Sequence, residues 1–518
     1  MLKGKRGRNI LLGSVLILML VVGILLIYFK LSVPPGEEWI AYQSEELTAS
    51  IDRQLDGIKI EELMAEKEKL VSEQSIEGLQ LSVAQGDLSY EELTAIYLYR
   101  IKMLDQSHHG YNSVLAIAAD AMAQARARDE ARTKKMAADE KIPVLFGIPV
   151  MLKDNINTAD MPTSAGAVAF SEFVPDEDAE LVRQLREQGA VILGKNNLSE
   201  FAYYVSSIMP SGYSGAKGQT VNPFGPLKIS PSGSSSGSAV AVTANLAPVS
   251  IGTETAGSIV GPSAVNSVVG FKPTRGSVSS DGIFPLIRAV DTPGPIAKTV
   301  RDAAVTYAAL SGKAVPEELD ASVLEGASIG LISYDYNDDA MVEMLRSALE
   351  QAGARVVAVT LDQRGIQVQN IIDQTFKQDF EEFAQRYGLP ITKLEDLILF
   401  NKADVERRAK YGQDHLEAAN AVEAPDNSLI QESIVKAQEQ LDEIMSGQEL
   451  DAIVFLNTTG STTVSAAGYP ELTVPLGMND KGVPQGATFA AGQGEDLKLL
   501  NFGYAFEQTV QGRRRPKE

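Results

Sequence analysis

The chain has 518 residues, 44% of them hydrophobic, and a formal net charge of -22 from 46 Lys and Arg against 68 Asp and Glu. This length and apolar content are sufficient for a large globular core and exclude a disordered chain. The acidic balance, without a long basic stripe, argues against nucleic acid as a partner. The absence of cysteine excludes disulfides, thiolate nucleophiles and thiolate metal sites.

The N-terminal region predicts a membrane anchor. Residues 1–9 form a basic tail, and residues 10–29 are an uncharged run rich in Leu, Ile and Val. A helix of this length spans roughly 30 Å, the thickness of a bilayer core. Because the run lacks a small-residue cleavage site, an uncleaved anchor is favoured over a cleaved signal peptide. The basic flank predicts a single-pass protein of the cell membrane, with its main domain outside the cytoplasm.

Charge and apolar spacing predict the segments on either side of the main domain. A Pro-Pro-Gly sequence ends the apolar run, and residues 30–74 predict a linker with a stalk or surface helix. The main domain is predicted over residues 75–512, and a short basic tail over 513–518. Near its start, Ser89 and Glu92 have the spacing of a helix capping box.

The pattern within the main domain predicts the α/β class. Apolar runs that end in Gly, Asn or Asp alternate with helical patterns, as in VLFGIPVMLKDNI, AVILGKNNLSEFA and LAPVSIGTE. This alternation predicts one large α/β/α domain with a central mixed sheet covered by helices. Residues 327–450 contain a further strand and long, highly charged helical stretches, which predict a peripheral helical lid or subdomain.

A serine-rich stretch, SPSGSSSGSAVAV at residues 230–242, has three interpretations. A flexible linker is disfavoured because a predicted helix and strand follow directly. A phosphate-binding loop is disfavoured because no Gly-Lys-Ser/Thr or Gly-x-Gly-x-x-Gly is present. The third is a Gly-x-Ser-x-Gly nucleophile elbow centred on Ser235, with Asp414 and His415 as partners.

The third interpretation, the nucleophile elbow, is also disfavoured. An elbow follows a strand, whereas the residues before Ser235 contain three prolines and two glycines and no apolar run. Asp414 and His415 are neighbours in a predicted helix, where their side chains point apart. The other histidines, His108 and His109, lie in a predicted loop, so a histidine-based triad is not favoured.

A buried lysine is an alternative base, since an amine becomes competent once burial lowers its pKa towards neutrality. Lys153 follows the apolar run FGIPVML, which predicts a place at the end of a buried strand. Ser258 follows a Thr-Ala-Gly sequence whose small residues allow backbone N–H groups to converge into an oxyanion hole. For Ser258 alone, a helix N-cap is the competing interpretation.

Five segments in chain order resemble the amidase signature family: FGIPVMLKDNINTADMPTSAG, GKNNLSEFA, the stretch from SPSGSSSGSAVAV to GFKPTRGSVS, DTPGPIAKTVRDAA and GVPQGATFAAGQGEDLKLLNFGYAFEQ. The resemblance covers residues 75–508. It implies a Ser-Ser-Lys triad of Lys153 as general base, Ser234 as bridging serine and Ser258 as nucleophile. It also implies a cis peptide bond before Ser234 and an oxyanion hole of the backbone N–H groups of Thr255, Ala256 and Gly257.

The resemblance implies hydrolysis of a carboxamide C–N bond to a carboxylate and ammonia or an amine, without a metal or cofactor. The substrate is expected to be a small-molecule or peptide amide. The alternatives are an inactive binding protein on the same fold and a glutamine-hydrolysing amidotransferase subunit. Glu254 and Val260 stand where many members have Asp and Arg, which removes a charged pair expected to support the loop. Ala256, in place of Gly or Asp, requires a negative φ.

Overall fold

A mixed sheet lies at the centre of the computed structural model, which describes residues 35–314 and 318–517. Its eleven strands are β1 (Val114–Ile117), β2 (Pro149–Lys153), β3 (Val191–Asn196), β6 (Val249–Glu254), β7 (Val269–Lys272), β8 (Thr292–Ala297), β9 (Ser328–Ile332), β10 (Arg355–Val359), β11 (Ala452–Leu456), β12 (Glu471–Met478) and β13 (Pro484–Ala490). A separate pair consists of β4 (Tyr213–Ser214) and β5 (Gly218–Gln219).

Helices connect the strands and cover the sheet. In chain order they are α1 (Ser44–Leu55), α2 (Ile60–Lys67), α3 (Ile76–Gln85), α4 (Tyr90–Arg100), α5 (Ala121–Ala137), α6 (Glu180–Glu187), α7 (Glu200–Tyr203), α8 (Ser236–Thr243), α9 (Val260–Val265), α10 (Val300–Ser311), α11 (Asp339–Gln351), α12 (Val368–Tyr387), α13 (Leu394–Lys402), α14 (Val405–Arg408), α15 (Asp414–Asn420), α16 (Ser428–Gly447), α17 (Ser461–Ala467) and α18 (Asp496–Val510). The predicted capping box is present at the start of α4.

The strand order is β1-β3-β2-β6-β8-β7-β12-β13-β11-β9-β10. The pairs β3–β2, β2–β6, β11–β9 and β9–β10 are parallel, and the other neighbours are antiparallel. Every residue of β2, β3 and β6 is buried, as expected for strands covered on both faces. The predicted α/β class with a mixed central sheet is confirmed.

The segment 327–450 contributes to two parts of the fold. Its strands β9 and β10 extend the central sheet next to β11. Its long helix α12 packs aromatic side chains against those of earlier segments, in a cluster formed by Phe170, Phe201, Phe284, Phe376, Phe380 and Phe383. A role of these helices as a lid stays a prediction.

The predicted membrane localisation is wrong, because the described residues contain no membrane-spanning helix. Within 35–314 and 318–517, no helix is long and apolar enough to cross a membrane. The physical reason is their charge: the longest helices, α12 and α16, have 20 residues each and carry ionisable side chains throughout. The predicted span at residues 10–29 and the basic tail at 1–9 lie outside the described residues. A single-pass, extracytoplasmic placement is therefore withdrawn.

Candidate active site

The candidate site lies where two neighbouring parallel strands end. Strand β2 ends at Lys153, and β6 ends at Glu254. The two strands pair in register, with Leu152 opposite Ile251, so their carboxyl ends meet at one edge of the sheet. Both strands are fully buried up to this edge, and the lysine is therefore carried into the interior.

The Lys153 amine lies within hydrogen-bond distance of three oxygens. Its Nζ lies 2.7 Å from Ser234 Oγ, 2.9 Å from Thr253 Oγ1 and 3.1 Å from the Thr253 carbonyl oxygen. A neutral amine has two N–H groups and one lone pair. Lys153 Nζ donates to all three oxygens when it is charged, whereas in the neutral amine the two Thr253 oxygens can accept the two N–H groups and the lone pair can face the Ser234 hydroxyl. Asn155 Nδ2 donates to Thr253 Oγ1 at 3.1 Å and so holds this acceptor in place.

Burial lowers the pKa of Lys153 from 10.5 to about 7. The side chain is fully buried, and desolvation disfavours its charged form. The carboxyl groups of Asp291 and Glu254 oppose this shift, but their effect is weaker than that of burial. The site therefore holds an amine that is half deprotonated near pH 7.

Ser234 is positioned by the turn before α8. The Gly233–Ser234 peptide bond is cis, as the resemblance implied. The Ser234 carbonyl accepts a hydrogen bond from the Ser199 backbone N–H at 3.1 Å. At Gly237, in the first turn of α8, a Cβ would lie 2.4 Å from two backbone carbonyl oxygens, so only glycine allows this close approach. The serine and glycine content of the stretch thus reflects tight packing.

The loop after β6 carries Ser258, which is partly exposed. The Ser258 carbonyl accepts from the Ser235 backbone N–H at 3.2 Å, which joins this loop to the turn that carries Ser234. The Ser258 hydroxyl makes no hydrogen bond within the described parts of the chain. Gly257 has a φ of 87°, whereas Ala256 does not have a positive φ, which meets the requirement placed on alanine there.

Glu254 supports this loop, which corrects the expectation that support is lost without the Asp and Arg pair. Its Oε2 accepts hydrogen bonds from the backbone N–H groups of Ile259, at 2.6 Å, and Val260, at 3.0 Å. These are the two residues after Ser258. A carboxylate that binds backbone N–H groups makes strong, charge-assisted bonds. The longer glutamate thus reaches the backbone directly, and no arginine is needed at position 260.

Asp291 is a site residue that the sequence reasoning missed. Its carboxyl group accepts from the Thr255 hydroxyl and from the backbone N–H groups of Leu286, at 2.7 Å, and Ile287, at 3.1 Å. It is partly exposed, and desolvation raises its pKa to about 7. Asp291 thereby connects the first residue of the predicted oxyanion loop to a second loop. Its only sequence signal was its place at the start of the segment DTPGPIAKTVRDAA.

The structure does not bring the residues of the elbow interpretation together. Ser235 is buried, and its Oγ accepts from the Thr253 backbone N–H at 3.3 Å and donates to the Thr253 carbonyl at 3.1 Å. His415 stacks on Tyr204 at 5.0 Å between ring centroids, and Asp414 accepts from the Ser207 backbone N–H at 3.2 Å.

The remaining histidines give no alternative chemistry. His108 and His109 are exposed in a loop. Among residues 35–314 and 318–517, no group of three His, Asp or Glu side chains is arranged to hold a metal ion.

Comparison with known proteins gives a family match over most of the chain. A family model described as Amidase matches residues 92–455. A probable amidase from Arabidopsis thaliana is 34% identical over 482 residues, which cover 86% of this chain and 92% of the relative. A glutamyl-tRNA(Gln) amidotransferase subunit from Rippkaea orientalis is 31% identical over 484 residues, which cover 84% and 98%.

Solved structures are similar over the same region. A crystal structure of an amidase family protein from Bacillus anthracis has a TM-score of 0.88 and 41% identity, and covers 94% of this chain and 100% of its own. A native peptide amidase from Stenotrophomonas maltophilia has a TM-score of 0.79 and 38% identity, with 86% and 99% covered. Both likenesses extend over most of the described chain.

Proposed function

The chain belongs to the amidase family, and we propose that it hydrolyses a carboxamide C–N bond through an acyl-enzyme on Ser258, with Ser234 and Lys153 as the proton relay. The observation that carries this proposal is the contact of 2.7 Å between Lys153 Nζ and Ser234 Oγ in a fully buried environment. The burial that lowers the pKa of Lys153 to about 7 supports a neutral amine, whose lone pair can then take the Ser234 proton. An activated serine needs such a base when no histidine is near.

The proposed acylation step uses Ser234 as the link between the nucleophile and the base. Ser234 passes its proton to the lone pair of Lys153 and takes the proton of Ser258, whose Oγ forms a bond to the amide carbonyl carbon. The C–N bond of the tetrahedral intermediate then breaks. Lys153 and Ser234 return the proton to the leaving nitrogen, so the amine or ammonia departs neutral.

Deacylation uses the same relay, with water in place of Ser258. Water attacks the acyl carbon while its proton passes through Ser234 to Lys153. The bond from the acyl carbon to Ser258 Oγ breaks, and the proton returns to Ser258. The products are a carboxylate and the starting enzyme, so each turnover consumes one water and no cofactor.

The negative charge that develops on the substrate carbonyl oxygen needs hydrogen-bond donors that are already in place. We assign them to the backbone N–H groups of Thr255, Ala256 and Gly257, on the loop that precedes Ser258. Preorganised donors of this kind contribute about 3 to 4 kcal/mol each to the transition state. Glu254 at one end of the loop and Asp291 at Thr255 restrict its movement, which supports the assignment.

The substrate class proposed is a small-molecule or peptide amide. The likeness to a peptide amidase across 86% of the chain favours a peptide amide as the first substrate to test. A second candidate is glutamine hydrolysis as part of an amidotransferase, because a subunit of such an enzyme is also a relative. Only the second candidate requires glutamine as the preferred amide and a tRNA-dependent partner.

A fluorophosphonate probe tests the assignment without knowledge of the substrate. The probe should label Ser258, as located by peptide mapping, and Ser258→Ala should abolish the label. Ser235→Ala is the matched control and should keep it, since Ser235 Oγ is engaged with the Thr253 backbone. Label on Ser235, or no label on a folded chain, would refute the proposal. Release of ammonia from peptide amides rather than glutamine would decide between the two substrates.

A further inference from the structure

A buried polar cluster lies behind the nucleophile loop and has no part in the relay. It consists of Glu254 at the end of β6, Ser465 on α17 and Glu471 at the start of β12. These side chains are 1%, 2% and 0% exposed. Two carboxyl groups enclosed this completely cannot both be ionised without a large free-energy cost, unless cations neutralise them.

The hydrogen bonds of Ser465 determine how many protons the cluster holds. Its Oγ lies 2.9 Å from Glu254 Oε1 and 2.7 Å from Glu471 Oε1. A hydroxyl group has one hydrogen to donate and can accept others. Ser465 therefore donates to one carboxyl group and must accept from the other. The second carboxyl group carries a proton.

The remaining oxygens identify the protonated partner. Glu254 Oε2 accepts two backbone N–H groups from the loop, an environment that favours a carboxylate. Glu471 Oε2 has no partner at good hydrogen-bond geometry within the described residues, and the nearby Ser461 hydroxyl only partly offsets the raised pKa of this carboxyl group. An unpaired anionic oxygen is far more costly in the interior than an unpaired neutral carbonyl oxygen. The proton thus belongs on Glu471.

We propose that Glu471 is a protonated positioning residue, and that the chain Glu471–Ser465–Glu254 fixes the backbone next to the nucleophile. The hydrogen bonds run in one direction, from the Glu471 hydroxyl to Ser465 Oγ, and from the Ser465 hydroxyl to Glu254 Oε1. The other oxygen of Glu254 holds the N–H groups of Ile259 and Val260. This inference rests on the proposed role of Ser258.

The charged groups that face the cluster come from β2, β7, the loop after β7 and α18, and the one on β2 is Lys153, which faces Glu254. Lys272 donates to the carbonyl oxygens of Tyr469, at 2.6 Å, and Pro273, at 3.3 Å, and to neither glutamate. Arg275 and Asp496 are the other charged neighbours of this lysine. Burial is the main reason why the pKa of Glu471 lies well above its ordinary value. The Glu254 carboxyl group adds to this effect, and Lys272 opposes it.

This arrangement gives the reaction an alkaline limit. The hydrogen bonds of Ser465 place a proton on Glu471, and because burial raises the pKa of this carboxyl group, the proton is lost only as the pH rises above the ordinary range for glutamate. After that loss, Ser465 faces two anions with one hydrogen, and Glu254 has a second negative charge beside it. The carboxylate that holds the loop is then pushed out of place, so the activity of Ser258 falls.

Glu471→Gln tests the proton directly, because its amide N–H donates to Ser465 as the protonated acid does. The rate of Ser258 labelling by a fluorophosphonate is measured from pH 6 to pH 10. We expect the labelling rate of the wild type to fall at least tenfold on the alkaline side of the profile. In Glu471→Gln, the rate at pH 7 should stay within threefold of wild type, and the alkaline loss should disappear. A purely structural role would not remove one limb of a pH profile.

Two further variants examine the direction of the bonds. Ser465→Ala interrupts the chain and should lower the labelling rate at least tenfold at every pH. Glu254→Gln turns a donor towards Ser465, which must then donate to Glu471 and leave it ionised. That variant should label about tenfold more slowly than wild type and show no alkaline loss. Thermal unfolding of each variant shows that it is folded.

The outcomes separate the two proposals. An alkaline loss in Glu471→Gln equal to that of wild type, with the label on Ser258, would overturn the positioning role of Glu471 and leave the proposed function intact. A Glu471→Gln rate as low as that of Ser465→Ala would mean that Glu471 acts as an anion, which also overturns it. Label on another residue would instead refute the role of Ser258 itself.

Discussion

Replacement of Lys153 by methionine should remove activity and raise stability together. The shift of the lysine pKa from 10.5 to about 7 corresponds to about 5 kcal/mol of unfolding free energy that the buried amine costs the fold. Because the folded pKa is the lower one, this cost is complete below pH 7 and fades as the pH rises towards 10.5. Methionine has a similar shape and no charge to desolvate.

The substitution also removes one hydrogen bond from each of two polar groups, although the Thr253 carbonyl keeps the bond that Ser235 Oγ donates. The Ser234 hydroxyl and the Thr253 carbonyl would each lose a hydrogen bond, at a cost of about 1 to 2 kcal/mol apiece. We therefore expect Lys153→Met to be about 2 kcal/mol more stable than wild type at pH 6. The advantage should shrink by about 3 kcal/mol between pH 6 and pH 9, as the wild-type amine becomes neutral.

The loss of activity follows from the loss of the base. At pH 7 about half of a lysine with a pKa of about 7 is neutral, against about 3 in 10,000 for an ordinary lysine. A positioned general base contributes about 10² to 10⁴ in rate, and the variant should lose a factor in this range. In wild type, the rate should rise about tenfold from pH 6 to pH 8, as the neutral fraction does.

The assays are the second-order rate of fluorophosphonate labelling and guanidinium unfolding, each at several pH values. Lys195→Met is the matched control, since Lys195 is also fully buried and binds the Ile156 carbonyl and the Thr163 hydroxyl. It should label within about tenfold of wild type. A Lys153→Met variant that labels as fast as this control, or that is less stable than wild type at pH 6, would refute the assignment of a neutral buried base.

Four further substitutions separate chemistry from folding. Ser258→Ala should abolish labelling, whereas Ser235→Ala should keep the label and lower the unfolding free energy by about 1 to 2 kcal/mol, as seen in peptide mapping and guanidinium unfolding. Gly257→Ala places a Cβ on a backbone with a φ of 87°; kcat for amide hydrolysis should fall about 100-fold with KM little changed, because the oxyanion donors move. Gly237→Ala places a Cβ 2.4 Å from two carbonyl oxygens; thermal unfolding should show a loss of more than about 3 kcal/mol, and a fully stable variant would contradict the packing of α8.

The surroundings of Lys153, Ser234 and Ser258 could be predicted because each lies in a short local pattern, whereas their roles as a triad stay a prediction from the resemblance. Lys153 follows an apolar run, and Ser234 and Ser258 stand among small residues within one stretch of the chain. A strand that ends at a buried lysine and a loop of small residues are local properties, which sequence reveals directly. The elbow at Ser235 could be rejected from the same kind of local information, the absence of an apolar strand before it.

The supporting carboxyl groups could not be predicted, because their partners are remote in sequence. Glu254 and Glu471 are separated by 217 positions, and they meet only since β6 and β12 lie in one sheet with α17 between their ends. An isolated glutamate in a sequence is normally a solvated surface residue. The length of the Glu254 side chain, which stands in place of the Asp and Arg pair, can be interpreted only when its distance to the backbone of the Ser258 loop is known.

The location of Lys153, the proposed base, in β2 affects how the enzyme loses activity on heating. Strand β2 is paired on both sides in an eleven-stranded sheet, and neither it nor β6 has an exposed residue. Amide protons in such strands exchange with solvent only through global opening of the fold. The base should therefore survive local fraying of loops and helices, and thermal inactivation should occur at the same temperature as cooperative unfolding of the sheet.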